Sequence, residues 1–157
     1  VNLNTSQNAQ QRGWGPGWPT NRSSSMTWLK AGGIGVSVHK DIAELMGLLL
    51  DQTVKRGYRV DQAKDDWGYA SRPIAGTNVA SNHSWGLALD INANKNPYTQ
   101  GTLITDMPRW MPSLWGRYGF TWGGNYSSVK DAMHYEFLGS MREARRMTRR
   151  AKRELGR

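Results

Sequence analysis

The chain has 157 residues, enough for one domain with a real core and too few for two well-packed ones. It has no cysteine, which excludes disulfides, thiolate metal sites, iron–sulfur ligation and a cysteine nucleophile, so any metal must be held by His, Asp or Glu. The formal net charge of +9 is uneven, because seven arginines and a lysine fall in the last sixteen residues, REARRMTRRAKRELGR; such a tail attracts nucleic acid, anionic lipid or a phosphate-bearing wall polymer, and charge alone does not choose between them.

In chain order, residues 1–26 are rich in Asn, Gln, Gly, Pro and Ser and carry Trp14 and Trp18, which reads as a loop-rich arm fastened by aromatic side chains. The arm is taken to residue 36. From Ser37, Val38, Ile42, Leu45, Met46 and Leu49 recur at helical spacing, and Lys55, Arg56 and Gly57 supply a basic last turn and a cap, so a helix is expected there. His39 falls in its first turn, beside Lys40 and Asp41, which suits a solvated surface. Residues 57–75 mix aromatic and turn residues and read as short strands and loops. LALDIN then alternates Leu87, Leu89 and Ile91 with Ala88 and Asp90, the pattern of a strand. A second helix is expected over 108–118, with Pro108 in its first turn and Gly119 beyond its end. FTWGG and AMHYEFLG read as two strands, and Ser140 with Glu143 forms a capping box that opens a basic helix over 140–157. The fold class expected is α+β, a small antiparallel sheet flanked by helices, with the working domain spanning 37–139.

The stretch SNHSWGLALDIN places His83 seven residues before Asp90. Zinc bound by imidazole nitrogen and carboxylate oxygen needs donors about 2.0–2.2 Å from the ion, so the two donor atoms must lie within about 4 Å of each other. One strand would separate the residues by roughly 23 Å, and one helix by about 10 Å. The chain must therefore turn between them, and Gly86 is the residue able to make that turn. A further nitrogen ligand can come only from His39 or His134. His134 would share a strand face with Glu136, and Asp131 stands three residues before it. Two histidines and a carboxylate with an unbound carboxylate nearby make a hydrolytic zinc site, and Arg72 is the nearest upstream candidate to meet a developing oxyanion.

Ser81, His83, Gly86, Ala88 and Asp90 match S-x-H-x-x-G-x-A-x-D, and Asp131, His134, Tyr135 and Glu136 resemble D-x-x-H-F-E. The combination resembles the zinc D-alanyl-D-alanine carboxypeptidase family, which takes in VanY-type carboxypeptidases and phage L-alanyl-D-glutamate endopeptidases and shares its fold with the hedgehog signalling domain. The resemblance covers roughly residues 37–139, and GFTWGG also looks like the segment before the last motif in the phage enzymes. It implies His83, Asp90 and His134 as Zn2+ ligands, Asp131 as catalytic base and Arg72 as the group that binds substrate or stabilises the transition state. It also implies peptidoglycan as substrate. Tyr135 stands where the family usually has Phe, and the text around Arg72 is looser than the two core motifs.

Glu136 suits a partner of a ligating histidine better than a ligand. Most of the eight tryptophans suit packing better than sugar stacking, and Ser81 and Ser84 lack a nucleophile elbow, which argues against a serine hydrolase. Arg145, Arg146, Arg149, Arg150 and Arg153 are expected to form one basic helix face, suited to an anionic wall polymer or membrane. Nucleic acid is the weaker partner, since the body of the chain lacks a dense basic stripe. The first residues lack the charged and apolar parts of a secretory signal, so synthesis in the cytoplasm and action on the bacterial wall, as for a lysin, is the expected location. Two rival readings stand beside the lysin: a bacterial D,D-carboxypeptidase, and a zinc-stabilised binding domain without turnover, for which Asp131 would have no use.

Overall fold

The structure is a computed structural model that describes residues 9–61 and 68–156. Its architecture is α+β, with small antiparallel sheets and helices packed around them. The first sheet is a hairpin in which β1 (Met26–Ala31) pairs with β2 (Ile34–His39), Ala31 opposite Ile34 and Met26 opposite His39. Gly32 and Gly33 close it with φ of 59° and 83°, the left-handed backbone that a two-residue hairpin turn requires.

The hairpin corrects the expected start of the first helix. Val38 and His39 lie on β2, and α1 runs Ala43–Lys55. Ile34, Val36 and Val38 are β-branched and repeat at period two, while Val38 and Ile42 are four apart, so a strand pattern runs into a helix pattern without a visible seam. Leu45, Met46, Leu49 and Leu50 give α1 its buried face, and Gly57, with φ of 106°, follows the helix end as expected. The short strands expected over 57–75 are a second correction. Residues 62–67 lie outside the described residues, and the described remainder contains only an isolated bridge, Pro73 to Ala80. Its backbone pairs irregularly instead: Tyr69 N donates to Ser37 O and Ala70 N to His83 O.

The later elements are β3 (Ala88–Asp90), β4 (Tyr98–Thr99), α2 (Trp110–Arg117), β5 (Phe120–Trp122), β6 (Lys130–Asp131), β7 (His134–Phe137) and α3 (Met141–Leu155). The central sheet has the order β3-β7-β5, and β4 pairs separately with β6. Helix α2 falls inside its predicted span, with Gly119 just beyond it at φ 93°. Helix α3 opens with both halves of the expected capping box, Glu143 N donating to Ser140 Oγ and Ser140 N to Glu143 Oε1.

One face of the central sheet packs on the aromatic core. Tyr135 lies 5.0 Å from Trp115 between ring centroids, Phe120 packs edge-on against Trp115 and Phe137, and Trp115 Nε1 donates to Thr53 Oγ1 on α1. Buried Trp14 donates from Nε1 to Gly139 O, and Trp85 Nε1 donates to Gly15 O, so the N-terminal arm is fastened at two indoles. Among the described residues no helix is long and apolar enough to cross a membrane.

Candidate metal centre

The opposite face of β3 and β7 carries the polar cluster. Just before β3, residues Asn82–Trp85 form one 3-10 turn, capped by Ser81, whose hydroxyl accepts from His83 N at 3.2 Å. Gly86 ends the turn with φ of 69°. A Cβ there would stand 2.4 Å from His39 N and from Met26 Sδ, and Gly86 O accepts the His39 N–H at 3.1 Å. Glycine is thus required twice over, by its backbone angle and by the close approach of the hairpin. The antiparallel register then sets Asp90 directly opposite His134 and Ala88 opposite Glu136. Cross-strand partners share a face, so the alanine of the motif leaves room for the Glu136 carboxylate while Leu89 and Tyr135 point to the core.

The three residues expected to be ligands converge. One ligand atom from each of His83, Asp90 and His134 lies within 4.8 Å of the others, and all three residues are buried. Asp90 sits between the rings: Oδ2 is 3.2 Å from His83 Nε2 and Oδ1 is 3.1 Å from His134 Nδ1. The outer nitrogens are taken. His83 Nδ1 is 2.7 Å from Gly68 O, a carbonyl that can only accept, so Nδ1 carries a proton and Nε2 is the nitrogen turned inward, free to lose its proton to a metal. His134 Nε2 is 3.2 Å from Glu136 Oε2, which leaves Nδ1 facing Asp90. Glu136 is itself held by Asn82 Nδ2 at 2.5 Å and by the Tyr126 hydroxyl. Outer hydrogen bonds that orient ligating imidazoles are the usual surroundings of a protein-bound metal.

The electrostatics agree with that donor set. Burial opposes ionisation of Asp90, but the charge of His83 and hydrogen bonds from His134 and His83 outweigh it and hold the carboxyl far below its usual range. Burial also lowers His134, and hydrogen bonds to Asp90 and Glu136 more than reverse this, so positive charge is strongly favoured between these carboxylates. Glu136 stays ionised, at about 2, because His134, Tyr126 and Asn82 offset its burial. Two inward nitrogens and a carboxylate that all favour a cation fit a borderline metal such as zinc, with three protein ligands and a further position for water or substrate.

These groups line a cleft of about 240 Å³, and Asp131 and Arg72 line it too. Asp131 is on β6 opposite Tyr98, and burial raises its carboxyl above the ordinary value against the pull of His134. Gly123 makes this placement sterically feasible, since a Cβ there would meet Asp131 O at 2.4 Å and Asp131 Cβ at 2.9 Å. Arg72 is exposed at the rim, with Nη1 3.4 Å from Pro73 O. His39, read as a surface residue, is instead 2 % exposed. Its place on β2 turns it inward, edge-on to Trp14 at 5.0 Å, with Nδ1 accepting from Asp41 N at 3.1 Å. Sequence reasoning missed Asn82, Tyr98, Tyr126 and Met133 in the cleft lining. Asn82 sits inside the first motif, whereas Tyr126 lies in a loop with no periodic signal.

Residues 75–137 match the model of a family described as D-alanyl-D-alanine carboxypeptidase. No curated protein matches the chain. The matched segment contains His83, Asp90, Asp131, His134 and Glu136 and begins just after Arg72. The resemblance read from the two motifs therefore holds, in sequence and in the meeting of His83, Asp90 and His134. The family is one of zinc-dependent peptidases, and the match supports a zinc peptidase acting on D-Ala-D-Ala-type substrates.

Proposed function

We propose that this chain, a relative of the D-alanyl-D-alanine carboxypeptidases, hydrolyses an amide bond in the stem peptides or cross-links of bacterial peptidoglycan, in the manner of the catalytic domain of a phage endolysin. The observation that carries the proposal is one cleft holding three mutually close ligand atoms together with a carboxylate outside the ligand set, Asp131. His83, Asp90 and His134 would hold zinc, which when bound supplies a Lewis acid that polarises a carbonyl and acidifies water.

The protein's own groups divide the remaining work. Glu136 keeps the His134 ring in one tautomer and one orientation, helped by Asn82 and Tyr126. Asp131 accepts a proton from the attacking water and returns it to the amine as the C–N bond breaks; burial, by raising its carboxyl, brings its basicity nearer the working pH. Arg72, at the rim of the same cleft, binds the substrate or carries part of the oxyanion charge. A binding domain without turnover has no need of Asp131 in the cleft, which favours catalysis.

A digest of purified peptidoglycan tests this, with products read by mass spectrometry. Wild type is expected to release peptide fragments, chelator to stop it, and Asp131→Asn to slow it by about 10²–10⁴-fold, the usual contribution of a general base. Loss of a terminal D-alanine alone would identify a carboxypeptidase, and unchanged peptidoglycan in every sample would overturn the enzyme reading.

A further inference from the structure

The basic C-terminal helix has a geometry that charge counting does not reveal. At 3.6 residues per turn, Arg142, Arg145, Arg146, Arg149 and Arg153 fall within an arc of about 100° and form one row about 16 Å long. None of the five forms an ion pair with a carboxylate among the described residues. The two acidic residues of α3 are committed elsewhere, Glu143 to the capping box and Glu154 to Arg117 and Arg150.

The helix cannot roll to hide this row. Ala144 and Ala151 on its other side are completely buried, and Met141, Met147 and Leu155 pack against the core. Like charges at spacings of three and four oppose helix formation, yet they are concentrated here on a face that the domain holds toward solvent. A feature that works against local stability without internal compensation marks a surface kept for a partner.

We propose that this arginine row binds a linear phosphodiester polymer of the bacterial cell wall, holding the protein at the wall separately from the cleft. Three features select that occupant. Each guanidinium offers a flat donor fork matched to a phosphate, and the row is built of arginine rather than lysine. The apolar side of α3 is spent on the domain, so nothing remains to insert into a bilayer. The helix carries no aromatic residue on which nucleic-acid bases could stack. The wall as source rests on the peptidase reading; the phosphodiester chemistry does not.

The test measures binding of the whole chain carrying Asp131→Asn, so that turnover plays no part. Probes are poly(glycerol phosphate), poly-L-glutamate of matched charge, phosphatidylglycerol vesicles and a mixed-sequence single-stranded DNA. Poly(glycerol phosphate) is expected to bind best, and raising salt from about 50 to about 200 mM should weaken it by about a hundredfold, as counterion release from five phosphate contacts on a flexible strand dictates. Replacing all five arginines by Gln should abolish this binding with the thermal midpoint unchanged or raised, and replacing them by Lys should weaken it measurably at equal charge. Equal binding of poly-L-glutamate, tighter binding of vesicles or DNA, or full binding by the Gln variant would each overturn the proposal. A protein that binds the polymer but never cleaves peptidoglycan would leave the row standing and sink the peptidase reading.

Discussion

Two buried polar clusters meet the chain within a few residues of one another, one through Asp90 and the other through Asn92, and they are built on opposite rules. In the second cluster Tyr58 donates to Asp106 at 2.6 Å, Asn92 and Asn96 donate to the Tyr58 oxygen, Asn96 also donates to Asp106, and Thr105 donates to Asn96. Neutral amides and hydroxyls meet one carboxylate, Asp106, which is itself exposed to solvent, and burial with that carboxylate pushes the Tyr58 phenol up to about 12, so it stays protonated and donating. This network is complete in itself, as buried polar groups in a stable core must be. The metal centre sets Asp90, Glu136 and Asp131 around two imidazoles and turns two ring nitrogens inward. Its carboxylates draw positive charge into their midst, onto the imidazoles or onto a metal ion between them. A buried polar cluster is therefore diagnostic of function by its electrostatic balance, not by its presence.

The largest expected effect breaks the comparison at its centre. Wild type in zinc at a hundred times its dissociation constant should gain about 2.7 kcal/mol of stability. Asp90→Asn should gain none, whereas Asn96→Ala should lose about 1–3 kcal/mol with its zinc response intact, because it leaves buried partners unpaired in a network that holds no ion. Denaturant titrations of the three proteins with and without zinc check this, and a zinc response missing from the Asn96 variant as well would erase the distinction.

A smaller effect separates ligand from orienting group. Glu136→Gln keeps the size of the side chain but weakens its hold on His134, and it should reduce zinc affinity or turnover by about 10–100-fold. Competition with a chelating dye, alongside rates at saturating zinc, tells the two apart; an unchanged value of both would make Glu136 a packing residue.

The smallest effect lies outside both clusters, at His39. Its imidazole is lowered from the ordinary value, mainly by burial, with Asp41 pulling the other way. The folded value lies below the unfolded one, so the unfolded chain takes up the proton first. His39 therefore costs no stability above about pH 6.5, and stability falls as pH drops below it by no more than about 1.4 kcal/mol per unit. The wild-type curve should be steeper than that of His39→Gln over that range, and parallel curves would show that His39 titrates freely in the folded protein.

Much of the site could be read in the sequence because its pieces are local. The turn at Gly86, the strand through Asp90 and the second motif at His134 each span a few residues, and the motifs fix their order. The hairpin was hidden because Val38 serves the strand period while fitting the helix period of α1, and His39 was misplaced along with it. Tyr126, and the bonds from Tyr58 to Asn92, Asn96 and Asp106, had no local signal; they join residues 10 to 48 apart in sequence through side chains that any loop may carry. Asp131 was found by its spacing from His134, but its two-residue strand against Tyr98 is too short to leave a period.

The pairing of Asp90 with His134 carries a consequence for how such a chain can vary in length. Because a strand shows alternate faces, deleting or inserting one residue between Gly86 and Asp90 would put Leu89 or Ile91 opposite His134 and send the carboxylate into the aromatic core. The exposed turn over residues 100–104, between β4 and α2, is under no such rule, since no sheet register runs through it. Length changes are thus forbidden where a strand must keep its face and tolerated in a surface turn, and the Asp90–His134 pair marks the first of these places.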